Sequence, residues 1–316
     1  MKLLRLVPEK TNFRFMKWRR ITFPAAVVMA IAAVAMFFTI GLNFGVDFEG
    51  GTLIEIKTTN GPADISQIRA DLSQLDLGDV QVQEFGNPSD VLIRIEQQGE
   101  GGGQEQLVLD KVKSVLSDNV EIRRTEVVGP RVSGELAVSG VTAVVSSLVL
   151  IMFYIWFRFE WQFALGAIIT TFNDILLTAG LFVILQLDFS LSSIAAVLTI
   201  IGYSLNDTVV VYDRIRENMR RYKKMTLEDL LDRSINETLS RTTMTSFTTL
   251  LALFALAIFG GEVIRSFVLA MIFGVVIGTY SSIFLAAPLL LLMRLRRSAF
   301  DKSSENGDHK QGGAAA

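Results

Sequence analysis

Six stretches of this chain carry almost no charge: residues 21–46, 136–157, 161–187, 189–212, 242–261 and 265–293. Each reaches the length of about 20 helical residues that crosses the hydrocarbon core of a bilayer. The pattern predicts a polytopic α-helical membrane protein with six spans. The one large polar segment, residues 47–135, alternates differently. Thr52–Thr58, Val80–Phe85, Val91–Ile95 and Val120–Val128 show the period of two expected of strands, and the turn residues Gly86-Asn87-Pro88-Ser89 separate the second from the third. Ala63–Leu75 carries Ile65, Ile68, Leu72 and Leu75 at helical spacing, and Leu107–Leu116 fits a second helix. The order βαββαβ predicts a small ferredoxin-like α+β domain. Gly99–Gly103 reads as a flexible connection rather than a phosphate cradle, since no strand-turn-helix glycine signature accompanies it.

Residues 213–241 are polar, yet Leu227, Leu230, Leu231, Ile235 and Leu239 form one helical stripe behind a Thr226/Asp229 cap. This predicts an amphipathic helix lying against the membrane face and covering the bundle, with the fifth span starting separately at residue 242. Residues 294–316 turn to Ser, Glu, Gly, Gln and Ala and predict a disordered tail.

Charge orients the spans. Residues 1–20 hold Lys2, Arg5, Lys10, Arg14, Lys17, Arg19 and Arg20 against Glu9. The positive-inside rule puts this end in the cytoplasm. Six crossings return residues 294–316 there, in agreement with Arg294, Arg296, Arg297 and Lys302, and leave residues 47–135 outside. The first uncharged run is longer than a signal-peptide core and reads as a retained anchor.

Composition narrows the chemistry. The chain is 50% hydrophobic and only 20% charged, with a mean hydropathy of +0.42. It has no cysteine, and its single histidine, His309, falls in the tail, so neither thiolate nor imidazole chemistry is available inside the membrane. No hydrolase, nucleotide-binding or metal-ligand motif is present, so the sequence predicts no enzyme, cofactor or metal, and the net charge of −2 gives no reason to expect a nucleic-acid partner.

The informative residues are those a membrane ought to exclude. Asp174 lies at the centre of the third uncharged run and Asp207 two-thirds of the way along the fourth, while Arg241 enters the fifth. A membrane acid is costly and marks a proton or ion pathway. Thr199, Tyr203 and Asp207 share a helical face, with Asn206 beside the acid, and Arg241, Thr245 and Thr248 line a face of the next span. Gly274 and Gly278 form a GxxxG, a signal for close helix packing.

Along nearly all of its length the chain resembles the SecF family of bacterial protein-export membrane proteins. The resemblance is carried by FMKWRR at Phe15–Arg20, GVDFEGGT at Gly45–Thr52, VGPRVSGEL at Val128–Leu136, YIWFRFEWQFALGAII at Tyr154–Ile169, GYSLNDTVVVYDRIREN at Gly202–Asn218, SRTTMTSFTTLL at Ser240–Leu251 and GTYSSIFLA at Gly278–Ala286. It implies an inner-membrane subunit of the resistance-nodulation-division type that pairs with SecD, associates with the SecYEG channel and YajC, and uses the proton gradient to help translocating unfolded polypeptides leave the channel. It also implies that Asp207 and Arg241 are proton-pathway residues, with Asp174 as a further relay. Two positions depart from the family: Asn173 stands where a histidine is common, and Glu49 where a small hydroxyl residue is usual. The competing expectation is a half-size proton-driven exporter of small molecules or lipids. Residues 47–135 offer that reading little room for a drug-sized apolar pocket.

Overall fold

The computed structural model describes residues 8, 11–59, 61–75, 77–78, 80–95, 104–116 and 120–293. The expected Gly99–Gly103 connection, the tail with His309, and the charges at Lys2, Arg5, Lys10, Arg294, Arg296, Arg297 and Lys302 lie outside the described residues.

Among the described residues, six helices are long and apolar enough to cross a membrane. A 3₁₀ turn at Phe15–Trp18 leads into α1 (Arg19–Thr39), and one turn of helix, α2 (Val46–Glu49), precedes the sheet domain. Beyond that domain run α5 (Pro130–Arg158), α6 (Trp161–Leu185), α7 (Leu191–Arg221) and α8 (Leu227–Phe259). The last span is α9 (Arg265–Ser281), continued through a π-helical turn at Ser282–Ala286 into α10 (Ala287–Leu292). Helices α6, α7 and α9 make the inside of the bundle. Helices α1, α5 and α8 skirt it and leave large apolar side chains such as Phe38, Phe157 and Phe259 exposed, as a lipid-facing surface requires.

The sheet domain contains β1 (Gly51–Thr58), α3 (Ile65–Ser73), β2 (Val80–Phe85), β3 (Asn87–Ile95), α4 (Gln104–Val115) and β4 (Val120–Val128). Its strands are antiparallel in the order β2-β3-β1-β4, the ferredoxin-like arrangement. Ile54 and Ile56 of β1 and Val91, Ile93 and Ile95 of β3 point to the face covered by α3 and α4, and meet Ile68, Leu72, Val108 and Val112 there. Asp64 caps α3 by accepting from the backbone of Ser66 and Gln67, each at 3.0 Å.

Entry into this domain depends on two glycines. Gly50 has φ 76° and ψ 178° and Gly51 has φ 111°, conformations that a Cβ opposes. Gly50→Ala should therefore destabilise the chain by about 1–3 kcal/mol, read as a lower unfolding midpoint of the full chain in detergent. Glu49→Ser, at an exposed position, should leave that midpoint unchanged.

The segment expected as a separate amphipathic helix is the first part of α8, which runs unbroken from Leu227 to Phe259. Residues 227–259 contain neither Gly nor Pro, so nothing interrupts the backbone hydrogen bonds where the charge ends. Its apolar stripe faces protein rather than the membrane surface: Leu230, Leu231 and Ile235 pack with Ile215 and Met219 of a lengthened α7 and with Met16. The N-terminal segment is fixed to the same helix. The Phe13 N–H donates to Asn236 Oδ1 at 2.9 Å, Asn236 Nδ2 donates back to Phe13 O at 2.8 Å, and the Met16 N–H donates to Asp232 Oδ1 at 2.8 Å.

A candidate proton site in the bundle interior

Asp174 sits midway along α6, 1% exposed. Its Oδ2 accepts from Ser204 of α7 at 2.5 Å and from Ser281 of α9 at 2.8 Å, so one carboxylate joins the three inner helices. Its Oδ1 is buried without a hydrogen-bond partner. One turn beyond Ser204 on α7 lies Asp207, 2% exposed, whose Oδ2 is likewise buried and unpartnered. Each acid thus keeps an oxygen at which a proton can bind without displacing a hydrogen bond.

Hydroxyls continue the cluster. Thr208 and Ser282 share a hydrogen bond of 3.0 Å between α7 and the π-helical turn. Tyr203 donates to Ser246 of α8 at 3.3 Å, and Ser246 lies 2.7 Å from Thr279 of α9. Serine and threonine hydroxyls can donate and accept in turn, so they can pass a proton or orient a water.

The π-helical turn has a local cause. Pro288 lacks an N–H and cannot bond to the carbonyl of Phe284. The Thr22 hydroxyl approaches that oxygen at 3.5 Å, and the fully buried Tyr212 hydroxyl donates to Ala286 O at 3.1 Å. The irregular turn falls directly after Ser281, and such turns often accompany functional sites.

Close packing makes the cluster possible. An added Cβ at Gly278 would lie 2.9 Å from Ser204 Cβ and 3.2 Å from its Cα, and one at Gly274 would lie 2.3 Å from Ile200 Cγ1. Both glycines therefore bring α9 against α7 at the level of Ser204 and just beyond it. Gly278→Val should separate the helices and weaken the Ser204–Asp174 bond, destabilising by about 1–3 kcal/mol. Thermal unfolding in detergent checks this, with Gly202→Ala as the control, because nothing lies within 4 Å of a Cβ built there.

The other polar residues singled out in the sequence are placed differently. Arg241 is exposed on α8 and forms no ion pair with Asp207 among the described residues. Thr199 and Asn206 are exposed on α7. The hydroxyls of Thr199, Thr245 and Thr248 donate to carbonyls of their own helices, at 2.7 Å to Ala195, 2.9 Å to Thr242 and 3.0 Å to Met244. Sequence reasoning passed over Ser204, Ser281, Thr208, Ser246, Thr279 and Ser282, although the GTYSSIFLA motif contains three of them.

Comparison with known proteins gives this site a context. Residues 108–296 match the family model of the protein export membrane protein SecD/SecF C-terminal region, and residues 35–61 match that of the SecD/SecF GG motif. The matched range contains the consecutive glycines Gly50-Gly51, both of positive φ. The chain is 51% identical to the protein translocase subunit SecF of Rhodobacter capsulatus over 310 residues, covering 93% of each chain. It is 45% identical to the protein translocase subunit SecDF of Brucella abortus, covering 93% of this chain and 39% of that one. The crystal structure of SecDF from Thermus thermophilus, a translocon-associated membrane protein, superimposes with a TM-score of 0.83 at 34% identity, over 92% of this chain and 40% of the other. With six membrane-crossing helices, these matches describe a multi-pass membrane protein. The chain belongs to the SecF family of protein translocase subunits.

Proposed function

We propose that this protein is an auxiliary subunit of the Sec translocase that uses the proton-motive force to promote late translocation and release of exported chains. The observation that carries the reading is the pair of buried acids, Asp174 and Asp207, each with an unpartnered oxygen, set among hydroxyls that link three helices. Burying a carboxyl in a membrane is costly, which favours a task for these groups beyond packing. Relatives in which a SecF-like part is joined to SecD within one chain support SecD as the bundle partner. The intramembrane polar face of Thr199, Asn206, Arg241 and Thr248 is exposed in the single chain and suits cover by such a partner. SecYEG, YajC and the unfolded translocating chain complete the proposed assembly, in the inner membrane with both termini cytoplasmic and the sheet domain outside.

The test is release of a translocating polypeptide from inverted vesicles containing the SecD complex, with and without an uncoupler. Proton-driven action requires an uncoupler-sensitive component that disappears when this subunit is removed. Release that is equal in both conditions excludes it.

A further inference from the structure

The connection between α6 and α7 is unusually well tied to the sheet domain. On β3, one of the two inner strands, Ile93 and Ile95 face the α3/α4 core, so Arg94 between them points to the opposite face of the sheet, where it is 9% exposed. From there Arg94 Nη2 donates to Asp188 Oδ1 at 2.9 Å, while Nη1 donates to Asn43 Oδ1 at 3.2 Å and to Phe44 O at 3.0 Å. Asp188 lies between α6 and α7, and Asn43 and Phe44 lie between α1 and α2. Asn43 Nδ2 also donates to Asp188 Oδ1 at 2.8 Å. One guanidinium thus ties the α1–α2 connection to the α6–α7 connection.

These connections have no slack of their own. The Phe189 N–H donates to Asn43 O and the Gly45 N–H to Phe189 O, each at 2.8 Å. Asp47 Oδ2 accepts from the first amide of α7, that of Leu191, at 2.9 Å. Phe189 stacks on Phe48 and meets Phe182 of α6 edge-on. A shift of α6 or α7 along its axis must therefore carry Asp188 with it. Asp174 lies 14 residues before Asp188, on the order of 20 Å of helix.

We propose that Arg94 is a positioning residue that couples the acid-bearing helices to the sheet domain, transmitting movement of α6 and α7 to the centre of the sheet through Asp188. The inference rests on the proton reading of Asp207 and extends it to the route by which work leaves the membrane. The Arg94 side chain is 11% and that of Asp188 31% exposed, and backbone pairing and ring packing hold the connection beside them. The planar fork adds direction, because its donors reach two connections at once.

The experiment measures proton flux and gradient-dependent release together in vesicles containing the complex with SecD. Arg94→Ala should lower release about tenfold, within the usual range of coupling between sites, while proton flux persists. Arg94→Lys, which keeps the charge, should recover part of the release. The double variant Arg94→Ala/Asp188→Ala should fall well short of the sum of the two single defects, since both remove the Arg94–Asp188 contact. Flux and release falling together in Arg94→Ala, release unchanged, or additive defects in the double variant would each overturn the coupling role. Asp207→Asn measured alongside separates the two ideas. If it keeps both flux and uncoupler-sensitive release, the proton reading itself has failed and the coupling falls with it.

Discussion

Asp207→Asn should abolish the uncoupler-sensitive component of chain release while the subunit remains in the membrane at its normal level with SecD. Asn preserves the volume and planar shape of the side chain but cannot bind and release a proton near neutral pH. Asp207 Oδ2 has no partner to lose. The folded protein therefore gives up little, no more than the roughly 1–3 kcal/mol of an added buried donor left unpaired. Asp207→Glu retains a titratable group displaced by one methylene and should keep partial activity. Arg241→Lys should also be impaired, because a compact, strongly hydrated ammonium replaces a planar, weakly hydrated fork. Full uncoupler-sensitive release by Asp207→Asn at normal abundance would remove Asp207 from the proton path.

At Asp174 the side chain is both a candidate proton carrier and a structural junction, so two substitutions should separate. Asp174→Ala leaves the Ser204 hydroxyl without its acceptor and opens space among α6, α7 and α9. Ser281 retains a 3.1 Å bond to Gly278 O, which limits the loss. The expected destabilisation is about 2–4 kcal/mol, seen as a lower unfolding temperature and reduced abundance. Asp174→Asn still offers a carbonyl oxygen to Ser204 and Ser281, so its unfolding temperature should stay near that of the parent. Its release should fall only if Asp174 itself carries protons. Equal unfolding temperatures for the Ala and Asn variants would show that the three-helix junction does not depend on this carboxyl.

Much of this architecture is written along the chain. Absence of charge over some twenty residues marks a span because backbone and side chain must both be compatible with lipid, and this holds whatever the span packs against. The strand period places Ile93 and Ile95 on one face and Arg94 on the other, because side-chain direction alternates residue by residue. Asp174 and Asp207 stand out for the same kind of reason, since a carboxyl in an apolar run is anomalous wherever it points. The Gly50-Gly51 pair is visible as a motif, and the backbone angles supply its physical basis.

Tertiary structure decided what these residues meet. A hydroxyl in a helix usually bonds to its own backbone, as Thr199 and Thr248 do, and nothing local distinguishes them from Ser204 and Ser281, which reach Asp174 across two interfaces. Helix α8 was divided in the sequence reading because charge stops at Arg241. Helix continuity depends on the backbone, and the leucine stripe belongs to α7 because α7 extends far enough to cover it. Likewise Arg94 is a solvent-facing charge by its period alone. Only the folding of the α6–α7 connection beneath the sheet gives it Asp188, Asn43 and Phe44 as acceptors, since contacts between residues far apart in sequence are fixed by how the elements pack and not by the pattern within any one of them.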